Sequence, residues 1–246
     1  MQKRRRRDER LTSPLKMQLT DRDKEVIRAI YDYRVLRQEQ IQVLFFGTNP
    51  GAKARAQKRL VKLFDHKYIA RFFLPTRGGL MSSPILYGLD KRGAELLRLE
   101  FGYDDLHWYS NMKDLKNDFL EHTLAIADFR IAVTLACQKV GYELLTWEGE
   151  NELRASRDEV KIRSPKGHSM SVSIVPDSYF AIATPFGKTH FFLELDRGSM
   201  TTGRFRRKVE AYIAYYQQGY QRRYGTKSLR VLTVTLRKQR LLNLKL

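Results

Sequence analysis

The chain has 246 residues, 42% of them hydrophobic, with a formal net charge of +19 and a pI near 10.1. That length and apolar content suit one large or two ordinary domains and exclude wholesale disorder. The charge opposes self-association and points to a polyanionic partner, nucleic acid before membrane. A single cysteine, Cys137, excludes an intrachain disulfide and a Cys-rich zinc site, and the five histidines have no HxxxH spacing. The basic N-terminus is followed by no apolar h-region, and there is no stretch of about 18 apolar residues. A soluble cytoplasmic protein with no membrane partner is expected.

Residues 1–19 carry the run Lys3-Arg4-Arg5-Arg6-Arg7 and Ser13-Pro14, and read as a flexible basic arm. Arg4, Arg5 and Arg6 are candidates to track phosphates or enter a minor groove. From Thr20 the pattern turns regular. Thr20-Asp21-Arg22-Asp23 has the form of a capping box with a short acid in fourth place. Val26, Ile27, Ile30, Tyr31 and Val35 then supply one helical face. A second short helix over 37–46 stops at Gly47-Thr48-Asn49-Pro50-Gly51, and a third runs over 52–66. In that third helix Ala56, Leu60, Leu63 and Phe64 share the buried face. Arg55, Lys58 and Lys62 lie opposite, and Arg59 flanks them.

Strands over 68–74 and 85–89 follow, joined by a Pro/Gly-rich turn at 75–84 that holds Arg77, and a helix over 91–100 closes the segment. Three helices and a two-stranded ribbon read as a winged helix-turn-helix over 20–100. In that arrangement the third helix enters the major groove of duplex DNA and Arg77 meets the backbone. Between positions 51 and 77 there are eight Lys/Arg against one acid, Asp65, which favours DNA over a protein partner. Winged-helix proteins pair on palindromic sites, so a homodimer stays open beside a monomer.

A linker is expected over 101–116, then a second domain over 117–246. It opens with a helix over 117–140, largely apolar through Leu120, Leu124, Ala127, Ile131 and Leu135. A strand over 142–147 is followed by a charged, irregular insert over 148–171. Segments 179–183 and 189–195 flank a Pro185–Gly187 turn as a hairpin. A helix over 203–219 presents Phe205, Val209, Tyr212, Ile213, Tyr216 and Tyr220, with Lys208 at the edge of its packing face. The β-forming run 229–236 is expected inside the sheet. Positions 204–246 hold twelve Lys/Arg against Glu210 alone, with Arg206 and Arg207 at the start as further DNA-contact candidates.

The hairpin carries the chemistry. Side chains alternate along a strand, so Glu194 and Asp196 share a face, and pairing about the turn brings Asp177 to the same sheet end. Three carboxylates gathered there call for a cation, and Mg²⁺, or Mn²⁺ in its place, prefers oxygen ligands of this kind. Pro176-Asp177 followed by Glu194 resembles the PD-(D/E)XK nuclease superfamily, with an α-β-β-β-α-β core. The lysine of Glu-x-Lys is replaced by Asp196, and the resemblance implies Lys208, on the following helix, as its substitute.

Across both halves the chain resembles the replication-relaxation family of plasmids and mobile elements. The matching pieces in the first half are Leu19-Thr20-x-Arg22-Asp23, Leu44-Phe45-Phe46, Arg59-Leu60 with Leu63, and Tyr87-x-Leu89 before Gly93. In the second they are His122, Trp147-Glu148, Pro176-Asp177, Glu194-Leu195-Asp196-Arg197-Gly198, and Lys208 with Tyr212. The resemblance spans about 19–220. It implies an α+β protein of DNA replication or relaxation in which Asp177, Glu194 and Asp196 hold the metal and Lys208 assists catalysis of DNA nicking. The alternative is a non-catalytic initiator, accessory factor or transcriptional regulator that uses the nuclease fold as a basic platform.

Overall fold

The structure, a computed structural model, describes residues 6–74, 83–106, 108, 115–163, 167–198 and 200–245. It is a mixed α+β protein that divides into two compact units, residues 1–131 and 132–246.

The first unit begins with helix α1 (Asp21–Asp32), and the capping box is present at its start. Thr20 Oγ1 accepts from the Asp23 amide at 3.3 Å, and the Thr20 amide donates to Asp23 Oδ2 at 2.7 Å. Arg34, with φ +64°, breaks the helix, so Val35 leaves it and sits fully buried just ahead of a two-residue strand β1 (Leu36–Arg37). Helices α2 (Gln38–Phe45) and α3 (Ala52–Asp65) follow, then strands β2 (Ile69–Phe73) and β3 (Ile85–Leu89) and helix α4 (Lys91–Phe101). The strands form an antiparallel sheet of order β1-β3-β2, with Leu36 opposite Tyr87 and Ile69 opposite Leu89. Ile27, Ile30, Leu60, Leu63, Ile69, Leu86 and Leu97 are fully buried between helices and sheet. Burial of each such side chain is worth about 1.5–3 kcal/mol. Gly93 lets α4 close on this core, since a methyl there would run into the Tyr68 carbonyl and come within 2.8 Å of Leu89 Cδ1.

Helix α5 (Asn117–Val140) starts in this unit. Leu120 and Leu124 pack with Val35, Phe72 and Leu86, and Arg37 holds both oxygens of Asp128, at 2.7 and 2.5 Å. The units part within α5, at Ile131/Ala132. The described part of the N-terminal segment is fastened, not free. Arg10 donates to the carbonyl of Phe64 at 2.6 Å and to Asp90 Oδ2 at 2.5 Å, His66 Nε2 meets the Leu15 carbonyl at 2.9 Å, and Arg59 donates to the Gln18 carbonyl at 2.8 Å.

The second unit contains β4 (Glu143–Gly149), α6 (Glu150–Ala155), β5 (Asp158–Arg163), β6 (Ser169–Ile174), β7 (Ser178–Thr184), β8 (Gly187–Asp196), α7 (Thr202–Gln218), α8 (Tyr220–Tyr224), β9 (Arg230–Thr235) and α9 (Lys238–Leu244). Its sheet has the order β4-β7-β8-β9, antiparallel except for the β8–β9 pair, which is parallel across the α7 crossover. Residues 148–171, expected to be irregular, instead hold α6, β5 and the start of β6, and β5 and β6 pair as a ribbon packed on α7. Val160, Ile162 and Ile174 face the core, and the charges at Glu159, Lys161 and Arg163 are the outward half of a two-residue alternation, while Asp158, on the inward side, accepts from the Tyr215 hydroxyl. Strand β9 lies at the sheet edge, not inside it, with Val231 37% exposed.

Helix α7 is rotated from the expected face. Ala211, Tyr212 and Tyr215 are buried, against Leu153, Phe192 and Tyr220 among others. Val209, Ile213 and Tyr216 point outward, at 39%, 55% and 49% exposure. No helix among the described residues is long and apolar enough to cross a membrane.

Candidate functional site

Strands β7 and β8 pair about a tight Pro185-Phe186 turn. Gly187 takes φ +112° there, a value only glycine adopts readily, and accepts through its carbonyl from Thr184 Oγ1 at 2.9 Å. The register sets Ser178 opposite Leu193, and the Asp177 amide donates to the Leu193 carbonyl at 3.0 Å. Asp177 Oδ2 accepts from the Leu195 amide at 2.6 Å. Asp177 thus grips the backbone on both sides of Glu194. Glu194 is 3% exposed, and the strand alternation turns its side chain toward α7. Lys208 Nζ donates to its Oε2 at 2.5 Å, and the Tyr212 hydroxyl, one turn further along α7, donates to its Oε1.

The electrostatics follow from this burial. Desolvation pushes the Glu194 carboxyl up to about 7; the neighbouring Asp177 charge adds to the rise, while Lys208 and the Tyr212 hydrogen bond oppose it. Burial, and then the Glu194 charge, push the Tyr212 phenol well above its ordinary value. Three of the four sequence candidates, Asp177, Glu194 and Lys208, are therefore drawn together. Asp196 is buried beside them, but its carboxylate is taken up elsewhere. Its Oδ1 accepts from the Gly198 amide at 2.8 Å and its Oδ2 from Arg240 Nε at 2.5 Å, while Arg240 also donates to the Met200 carbonyl.

Among the described residues, no three or more His, Cys, Asp or Glu side chains are gathered to hold a metal ion. The Asp177–Glu194 pair remains. By donor chemistry it fits Mg²⁺, which binds through one or two carboxylates and completes its shell with water and substrate phosphates.

The nucleic-acid candidates of the first unit sit around a cleft of about 580 Å³ between the start of α1 and the outer face of α3. Arg55, Lys58 and Lys62 line it and are exposed. Arg59 lines it too, but is committed inward to Asp23: its Nε donates to Oδ1 at 2.5 Å and Nη2 to Oδ2. Burial alone would raise the Asp23 carboxyl, but Arg59 and the Thr20 bonds hold it below its ordinary value. Arg6, Arg206 and Arg207 are exposed. Arg4, Arg5 and Arg77 lie outside the described residues.

Two contacts escape sequence reasoning. The sequence pairs Tyr212 with Lys208 in the family resemblance and places it on the packing face of the helix, but does not give its hydrogen bond to Glu194. Arg240 lies 44 residues from Asp196, and no local pattern links them.

A family model described as replication-relaxation matches residues 27–229. No curated protein and no solved structure matches the chain.

Proposed function

Because the chain belongs to the replication-relaxation family, we propose that it binds duplex DNA in plasmid or mobile-element replication or relaxation and nicks it. Its first unit acts as a winged helix-turn-helix with α3 as the reading helix, and its second as a PD-(D/E)XK-like nuclease. The observation that carries the reading is the convergence of Lys208 with Glu194 and Asp177, residues drawn from a helix, a strand and the bend before β7 onto one sheet end. In this reading Asp177 and Glu194 hold Mg²⁺, which when bound supplies an acidified water and charge neutralisation at the phosphate. Asp177 fixes the backbone around Glu194, so that carboxylate needs no reorganisation. Lys208 offers the scissile phosphate a positioned ammonium for the charge that develops there. The basic run 204–246, with Arg206 and Arg207 at its start, draws the DNA backbone to this end of the sheet.

The test is supercoiled plasmid with Mg²⁺ or Mn²⁺. Nicked circles are expected from the wild type and not from Asp177→Ala, which still shifts DNA in a gel. Undiminished nicking by that variant overturns the assignment. A second reading, a non-catalytic DNA platform, is favoured by one observation: both Glu194 oxygens already accept hydrogen bonds from Lys208 and Tyr212. It requires plasmid that is shifted yet intact with every metal.

A further inference from the structure

The cleft between α1 and α3 is crowded with like charges that lack a counter-charge. Arg22 at the start of α1 and Arg55, Lys58 and Lys62 on α3 all line it. Among the described residues, neither Lys58 nor Lys62 has a hydrogen-bond or ion-pair partner, and Arg22 only lies over the Phe46 ring, 5.4 Å from its centroid. The cleft has two acids. Asp23 is consumed by Arg59, so Asp21 alone faces four cations. Cations that converge without compensation repel one another, and an anionic ligand removes that repulsion. Phe46 supplies an apolar wall beside them.

We propose that this cleft seats the sugar-phosphate backbone of duplex DNA alongside α3. Arg22, Lys58 and Lys62 contact its phosphates, and Arg59 acts as the positioning residue that sets the cleft width through Asp23. The proposal deepens the DNA-binding reading and rests on it. It adds α1 to the contact surface and removes Arg59 from the direct contacts. Small phosphate ligands present the same chemistry, but the open run of cations along one helix suits a polymer, since residues 55, 58 and 62 climb α3 in steps of one turn.

The experiment measures full-length protein binding a fluorescent duplex over a salt series. Each of Arg22→Met, Lys58→Met and Lys62→Met should flatten the log–log salt dependence by about one unit, because each phosphate contact releases counterions. Arg59→Met should weaken binding and, combined with Lys58→Met, should lose less than the sum of the two single effects. Thermal unfolding of each variant separates these losses from misfolding. A second arm follows the backbone amide resonances of residues 20–23 and 55–62 during titration with pyrophosphate. Wild-type binding with an unchanged salt slope in the Arg22 and lysine variants overturns the cleft and leaves the DNA reading standing. Absence of duplex binding, with pyrophosphate shifting those resonances, overturns the DNA reading and makes the cleft a small-phosphate site instead. Silence in both arms overturns both.

Discussion

Arg240 of α9 donates to Asp196 of β8 at 2.5 Å, and the two side chains are 18% and 2% exposed. The last helix is thereby pinned to the strand that carries Glu194. Removing one member of a buried pair strands the other charge, at about 3–5 kcal/mol, whereas neutralising both is often near neutral. Arg240→Met should lower unfolding free energy by that order in urea. The double variant Asp196→Asn/Arg240→Met should recover most of the loss. A double variant no more stable than the single would show that the pair is not the source.

Glu194 gives stability a pH dependence of definite sign. Its carboxyl is raised from its ordinary 4.5 to about 7, so across that window the folded protein holds a proton that the unfolded chain has released. Stability from this group is full below pH 4.5 and is lost as pH rises toward 7. Subtracting the Glu194→Gln profile from the wild type should isolate a decline across that range. A flat difference, or one that climbs with pH, would contradict the burial account.

Gly93 has no room for a side chain. Gly93→Ala should destabilise the first unit by about 1–3 kcal/mol through overpacking against Tyr68 and Leu89, despite alanine's better helix propensity. Melting of the isolated change at this one position is sufficient. A gain in melting temperature would refute the tight approach.

The outer stripe of α7 should tolerate polarity. Ile213→Ser and Tyr216→Ser are expected to change stability by no more than about 0.5 kcal/mol, as surface substitutions do. Tyr212→Ala, one position from Ile213, should cost about 3–5 kcal/mol, as aromatic truncation in a core does. Equal losses on both faces would return the helix to the orientation expected from sequence.

Much of the chain order is legible in the sequence because it rests on local signals. The Thr20 box, the period of α3, the Pro-Phe-Gly turn and the two-residue spacing of Glu194 and Asp196 each involve neighbours. The nearness of Asp177 and Glu194 follows from those signals, and the resemblance to the nuclease superfamily adds Lys208. The remaining features depend on partners far along the chain. Arg59 reads as a flanking cation until Asp23 is beside it, and Asp196 reads as a free carboxylate until Arg240 arrives. The β5–β6 ribbon is hidden by its own charged outer face. The rotation of α7 is set by Lys208 and Tyr212 turning toward Glu194, a preference that an apolar count ignores.

The parallel β8–β9 pair also fixes an order of events at the ribosome. The first unit has its described strands by residue 89 and its last described core side chains, Leu120 and Leu124, by residue 124, so it can close while later residues are still being translated. The second cannot: its edge strand emerges at positions 230–235 and the Arg240 anchor later still. Until then β8, with its aromatic and acidic side chains, waits with one edge bare. That interval is when a nascent chain of this kind most needs a chaperone.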